Sequence, residues 1–198
     1  DVTNRQIVVR RAQEKEKLVT LDKKEHELNS SMLVIADEAR AVGLAGIMGG
    51  LNSEIKLDTS EILFESAKFK RDSVRRTARA LGIRTEASSR YEKGIDIDNV
   101  EYAVNRAIDL VKELNAGEVV EGAIDISVPF EKTRSLTVCP KSINALLGVE
   151  VGTEEMISIL EALEIPAQQD GDTLKLTIPS FREDIEHEAD IAVHSLKD

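Results

Sequence analysis

The sequence predicts an α+β chain in two parts. A mixed or antiparallel sheet with packed helices comes first, and a small winged-helix-like α/β unit follows. Three observations carry this. Short apolar runs broken by turn residues fill the first fifty positions, as sheet strands joined by hairpins require. From Asp72 the apolar period lengthens to that of helices. After a Pro- and charge-bearing connection at residues 129–135, two helical patterns precede an alternating strand pair. The predicted division is 1–130 and 131–198.

In order, Ile7–Arg11 reads as a strand, and Leu18–Leu21 with the run to Leu28 reads as a hairpin about Asp22-Lys23-Lys24. Met32–Ile35 is a third apolar run closing at Asp37, and Ala41–Met48 (AVGLAGIM) is expected as one further strand. Its glycines Gly43, Gly46 and Gly49 suit either close approach of a ligand to the backbone or tight strand packing. Ile62-Leu63-Phe64 is expected as an apolar strand ending on the carboxylate of Glu65. Asp72 is expected to cap a helix from Ser73 with Val74, Ala78 and Leu81 inward and Gly82 beyond its end. A longer helix is expected over about 99–115, capped by Asp96 or Asp98. Its stripe of Ala103, Val104, Ala107, Ile108, Val111 and Leu114 is expected to be core. Val119–Val128 reads as a strand. In the second part come a strand at Ser135–Val138, a helix at Pro140–Leu147, a helix capped by Thr153 and a strand through Leu174, Leu176 and Ile178 after the Asp170-Gly171 turn.

Composition excludes several classes. The 198 residues contain no Trp and 3% aromatics, so the core is aliphatic. No apolar run approaches the ~20 residues of a membrane span, and no signal-peptide pattern opens the sequence. A single Cys139 makes no internal disulfide, which suits a reducing cytoplasm. The formal charge of −11 argues against a general nucleic-acid coat. One window runs the other way: residues 68–93 hold nine Lys and Arg against three acids. A phosphate-bearing ligand and a network of ion pairs both account for such an island.

Taken together, DVTN at 1–4, EKLVTLD at 16–22, VIAD at 34–37, GLAGIMGG at 43–50, FES at 64–66, RRTARALGIRTEAS at 75–88 and RYEKGID at 90–96 resemble the editing module of bacterial phenylalanyl-tRNA synthetase beta subunits. NALLGV at 144–149, the Ile159–Pro166 segment and PSFREDIEHEAD at 179–190 resemble the module that follows it in that family. The motifs occur in the family's order and cover nearly the whole chain.

The resemblance implies hydrolysis of tyrosine wrongly esterified to tRNA(Phe). It places Glu65 as the acceptor for the tyrosine hydroxyl, Thr3 and Asn4 beside the ester, and Ala45, Gly46 and Ala87 along the pocket wall. It implies the synthetase alpha subunit and the tRNA acceptor end as partners, with no membrane and a cytoplasmic setting. An alternative is a non-catalytic, structural or tRNA-contacting part of the synthetase. Aminoacylation is not expected of this chain, which lacks the ATP-binding elements of a synthetase core. The family's hydrophobic stretch after DVTN, with its pocket histidine in a motif like GQPLHAFD, has no counterpart, because Arg5 follows Asn4 directly. His26, His187 and His194 do not match it, and the part of the editing module before DVTN is also expected to be missing. Editing needs no cofactor. In the second module the family's magnesium site is matched at Asp184 and Asp190, but Val193 and His194 stand where two glutamates are expected, so Mg2+ would be held weakly. The tail DIAVHSLKD resembles a segment of hydroxymethylbilane synthase.

Overall fold

The computed structural model describes residues 3–128 and 133–195; the side chains of Thr3, His194 and Ser195 are outside that description. The chain divides at Ile95/Asp96 into two compact units. The connection expected as the domain boundary lies largely at 129–132, outside the described residues.

The first unit is built on a four-stranded antiparallel sheet. Its strands are β1 (Val8–Arg11), β4 (Leu33–Ala36), β5 (Ala41–Leu44) and β6 (Met48–Gly49), in the order β1-β4-β5-β6. A separate hairpin joins β2 (Lys17–Val19) to β3 (Glu25–Glu27). Its turn is closed where expected: Lys23 takes a left-handed φ of 65°, and the Thr20 hydroxyl donates to Asp22 Oδ1 at 2.6 Å. Glu16 just before β2 is clasped by both terminal nitrogens of Arg10 on β1, at 2.7 and 2.9 Å, which ties hairpin to sheet. The β4–β5 turn hangs on Asp37, whose buried carboxylate accepts from the N–H groups of Ala39 and Arg40. Leu18, Leu28, Met32, Val34, Leu44 and Ile47 fill the space between these layers with Phe69, Val74 and Ala78.

Two helices complete this unit, α1 (Arg71–Leu81) and α2 (Glu86–Tyr91). Helix α1 buries Ser73, Val74, Thr77 and Ala78 and leaves Arg75, Arg76 and Arg79 exposed, as its pattern requires. Gly82 ends it at φ 64°, and the Ile83 N–H returns to the Ala78 carbonyl, closing the last turn. The helix starts two residues earlier than expected. Asp72 is therefore not its cap but sits in the first turn, where a negative charge meets the positive end of the helix dipole.

Two strand expectations in this unit fail. AVGLAGIM is not one strand. It folds back at Ala45-Gly46-Ile47, with Gly46 at φ 69° and the Ile47 N–H bonded to the Leu44 carbonyl, so β5 and β6 form a hairpin. The glycine spacing marks the reversal. Ile62-Leu63-Phe64 forms no strand either. The segment 60–70 makes no ladder, and Leu63 is 72% exposed. Apolar, β-favouring residues form a strand only beside a partner edge, and among the described residues none is offered.

The second unit carries a three-stranded antiparallel sheet of β7 (Thr133–Val138), β8 (Ala167–Asp170) and β9 (Thr173–Pro179), with β9 central. Helices α4 (Pro140–Leu147), α5 (Thr153–Ala162) and α6 (Glu188–Ser195) accompany it. Pro140 stands at the first position of α4, as the sequence indicated, and Gly148 closes the helix at φ 74°. Gly152, not Thr153, is the N-cap of α5. The β8–β9 hairpin is the expected wing. Helix α6 has no counterpart in the sequence reading. Its Ile191 and Ala192 join Ile143, Met156, Leu160, Ile165, Leu174, Leu176, Ile178 and Ile185 in one aliphatic core.

Helix α3 (Asp98–Glu113) falls in the second unit and contradicts the expectation of a core stripe. None of its residues is buried; Val104, Ala107, Ile108 and Val111 are half-covered, and Ala103 and Leu114 are exposed. Amphipathic spacing shows which face can be buried, not that a neighbour is there to bury it. Nor does a side chain cap it: Asp96 accepts from the Asp98 N–H and the Ser180 hydroxyl, but the N-cap position is Ile97. The expected strand at Val119–Val128 is likewise unpaired, with every residue exposed.

Candidate functional site

Glu65 enters the first unit on the segment without ladder hydrogen bonds, so side chains must hold it in place. Four residues on, Phe69 is buried in the core. Between them, the Ala67 carbonyl accepts from the Tyr91 hydroxyl at 3.1 Å. The rings of Phe69 and Tyr91 lie 5.4 Å apart at 44°, a favourable tilted pairing. Both rings close on the hairpin reversal: a Cβ at Gly46 would meet Phe69 Cδ2 at 3.0 Å and Tyr91 Cγ at 3.2 Å. The segment carrying the acid is therefore stapled to the glycine turn through two aromatic side chains.

The electrostatics of Glu65 agree with that placement. The residue is exposed as a whole, yet protein packed about its carboxylate disfavours the charge and holds its carboxyl above the ordinary glutamate value. Tyr91 is also raised, first by burial and then by the nearby negative charge of Glu65. Neither Arg84 nor Arg90 bridges to Glu65; Arg90 instead holds Glu86 at 2.8 Å.

Helix α2 closes the same corner. Thr85 caps it with a reciprocal pair: its hydroxyl oxygen accepts from the Ser88 N–H, while its own N–H donates to Ser88 Oγ, both at 2.9 Å. The Thr85 hydroxyl also donates to the Ile47 carbonyl at 2.8 Å. One end of α2 is thus pinned to the Ala45–Ile47 reversal by Thr85 and the other by the Tyr91 ring. Ala45 is buried, whereas Gly46 and Ala87 are half-exposed at this corner. Thr85→Ala should destabilise the unit by about 1–2 kcal/mol, the upper range for a lost N-cap, because the Ile47 carbonyl is orphaned along with the Ser88 N–H. Thermal denaturation followed by far-UV circular dichroism checks it.

The other candidates fare unequally. Thr3 lies in a short 3-10 turn, Thr3–Arg5, but its side chain is outside the described residues. Asn4 takes φ 55° and its amide donates to the Glu38 carboxylate, while Arg5 pairs with Glu61 at 3.6 Å. Asp184 is gripped through both oxygens by Arg182 at 2.8 and 2.9 Å, and Asp190 accepts from the N–H groups of Glu186 and His187. Among the described residues no three His, Cys, Asp or Glu side chains converge as a metal site. With those oxygens committed and two carboxylates at most, the set does not fit the near-octahedral oxygen shell of Mg2+.

Phe69, Thr85 and Tyr91 were not singled out from the sequence. Thr85, three positions before Ser88 and next to an acid, resembles a helix-start signature and was the available signal. For Phe69 and Tyr91 nothing in the local pattern distinguishes these rings from other apolar positions.

Comparison with known proteins sets this arrangement in a family. The profile of the B3/4 domain matches residues 1–116, and that of the tRNA synthetase B5 domain matches residues 136–192. The chain belongs to the B3/4 domain family, with a B5 domain after it. It is 46% identical over 191 residues to the phenylalanine–tRNA ligase beta subunit of Clostridium tetani and 44% identical to that of Clostridium acetobutylicum. Each match takes in 96% of this chain and 24% of the relative, so the chain spans about a quarter of their length. A solved N-terminal fragment of the phenylalanyl-tRNA synthetase beta subunit from Pyrococcus horikoshii aligns over 95% of this chain and 54% of its own, with 16% identity and a TM-score of 0.43. The resemblance read from the sequence motifs is borne out. Among the described residues no helix is long and apolar enough to cross a membrane.

Proposed function

We propose that the first unit is a hydrolytic editing module, which releases tyrosine from tRNA(Phe) by cleaving the aminoacyl ester. Water oxygen attacks the ester carbonyl carbon and the bond to the ribose oxygen breaks. Tyrosine leaves as its carboxylate, and the terminal adenosine regains its hydroxyl. Selectivity comes from Glu65, which accepts the hydrogen bond of the tyrosine phenol. Phenylalanine has no such hydrogen and would leave the acid desolvated and unpaired. Ala45, Gly46 and Ala87 wall the aromatic ring, and Thr3 with Asn4 orients the ester and water. In the assembled cytoplasmic synthetase the alpha subunit performs aminoacylation.

The observation that supports this reading is a Glu65 carboxyl close enough to the Tyr91 phenol to raise it, on a segment whose Phe69 packs with Tyr91 against the Gly46 turn. Such crowding makes a phenol-sensing acid worth having, since an unpaired charge there is costly. The test is release of tyrosine from Tyr-tRNA(Phe). Glu65→Ala should lower the preference for Tyr-tRNA over Phe-tRNA by about 10- to 100-fold, the cost of roughly one hydrogen bond to a charged group. The acceptor role needs the ionised carboxylate. Because the carboxyl is raised, preference should begin to fall on acidification at a higher pH than for an ordinary exposed glutamate and stay level above that point. Equal preference in wild type and Glu65→Ala would remove the residue from the site. The competing reading is a non-catalytic tRNA-contacting part, favoured by the chain's own Phe69, Tyr91 and Val74 filling the side of Gly46 where a Cβ would stand. It would be established by no release above background at saturating protein.

A further inference from the structure

Two residues beyond Glu65, the Ala67 carbonyl accepts from the Tyr91 hydroxyl at 3.1 Å. A tyrosine hydroxyl has a single proton to donate, so this bond leaves Tyr91 none for a neighbouring carboxylate. The point matters because Glu65 lies close enough for its charge to raise the Tyr91 phenol. An internal phenol beside an acid that reads phenols is the natural competitor for the substrate's own. Here its proton is committed elsewhere. The acid shows the consequence: burial alone shifts the Glu65 carboxyl, and no hydrogen bond works against that shift. Nor is the ring free to swing to another acceptor. It pairs with Phe69 at 5.4 Å, and its Cγ stands 3.2 Å from where a Cβ on Gly46 would sit. Helix α2, which carries it, is fixed at its other end by the bond from Thr85 to the Ile47 carbonyl. With no ladder on residues 60–70, the bond to Ala67 supplies backbone anchoring that a strand would otherwise give.

We propose that Tyr91 is a positioning residue for phenol recognition: by committing its proton to Ala67 it fixes Glu65 and keeps that acid open as an acceptor for the substrate's hydroxyl. This rests on the editing reading for the identity of the ligand, not for its hydrolysis. Tyr91 acts through Glu65 and touches no reacting atom. Phenylalanine offers no hydrogen and gains nothing from an open acceptor, so the Tyr91 hydroxyl bears on the tyrosine ligand alone. Tyr91→Phe retains the ring and removes only its bond to Ala67. The freed carboxylate can then turn toward water, and a solvated acid gains less from a phenol.

The test is equilibrium binding, by the whole chain, of adenosine that bears tyrosine or phenylalanine through a stable amide at the ribose. Wild type should prefer the tyrosine adduct. Tyr91→Phe should lower that preference about three- to tenfold, the worth of one hydrogen bond, with the loss falling on the tyrosine adduct. Glu65→Ala/Tyr91→Phe should be no less selective than Glu65→Ala alone, since Tyr91 acts only through the acid. Four results overturn the proposal: no preference in wild type, an unchanged preference in Tyr91→Phe, additive losses in the double variant, or equal weakening of both adducts. The last would make the hydroxyl a support of the fold and nothing more. A second measurement needs no ligand. The chain has two tyrosines and no Trp, so an alkaline ultraviolet titration reads few groups, and Tyr91→Phe identifies the Tyr91 component. Glu65→Gln should move that component to lower pH, because the charge that raises it is gone. No movement would place the acid away from the phenol and overturn the proposal. Tyrosine preference without hydrolysis of Tyr-tRNA(Phe) would sink the editing reading and leave this one standing.

Discussion

Leu176→Ala should lower the unfolding free energy of the second unit by about 2–5 kcal/mol. Leu176 lies at the centre of β9, opposite Leu136 on β7 and Ala167 on β8, and is fully buried. Its side chain meets a core of aliphatic residues from both sheet and helices, with no aromatic to swing into the gap. Truncation therefore loses transfer free energy and leaves a void that stiff β-branched neighbours fill poorly. A loss this large is a big fraction of the stability a small unit commands. The chain has no Trp, so hydrogen exchange of the β9 amides is the suitable measure, with circular dichroism beside it. A change below about 0.5 kcal/mol, the range of ordinary surface substitutions, would show that this core is not close-packed.

Gly46→Ala should cost about 2–4 kcal/mol, combining the left-handed backbone penalty with overpacking. The added methyl would stand 3.0 Å from Phe69 Cδ2 and 3.2 Å from both Tyr91 Cγ and Val74 Cγ2, so rings or turn must shift. Gly82→Ala provides the control. Gly82 has a similar φ of 64° but nothing within 4 Å of its Cβ position, so only the backbone penalty of about 1–2 kcal/mol applies. The difference between the two variants isolates the aromatic packing. If both cost the same, the rings are not seated tightly on the turn. On the functional side, moving Tyr91 releases the Ala67 carbonyl and with it the Glu65 segment. Preference for Tyr-tRNA should then fall in Gly46→Ala and persist in Gly82→Ala.

These two glycines also show what a sequence reveals and what it hides. Gly82 was legible as a helix end because it follows a helical apolar stripe, a local pattern with a local outcome. Gly46 was legible only as a glycine in an apolar run. The reversal at that point depends on β4 pairing with β5 and on two rings from the 69–91 region, none of it local. The start of α4 and the β8–β9 hairpin were legible for the same reason: Pro140 and Asp170-Gly171 set them within a few residues. Ile62-Leu63-Phe64 and Val119–Val128 have strand composition, but pairing is a property of two segments and cannot be read from one. Of the candidate site, the family motifs brought out Glu65, Ala45, Gly46 and Ala87. They did not reveal that Tyr91 binds the chain next to Glu65, because a side chain reaching a carbonyl 24 residues away leaves no periodic trace.

The acid proposed to recognise tyrosine is held by a ring, a hydroxyl and a buried phenylalanine rather than by a ladder. Loss of the Tyr91 hydroxyl alone would therefore change its aim while the ladders of the sheet stay paired. Selection for or against particular amino acids can act on residues 60–66, none of them buried, with little toll on folding, whereas a receptor built into a central strand would have to trade one for the other. Evolution toward a different mischarged side chain is cheapest along this unladdered stretch.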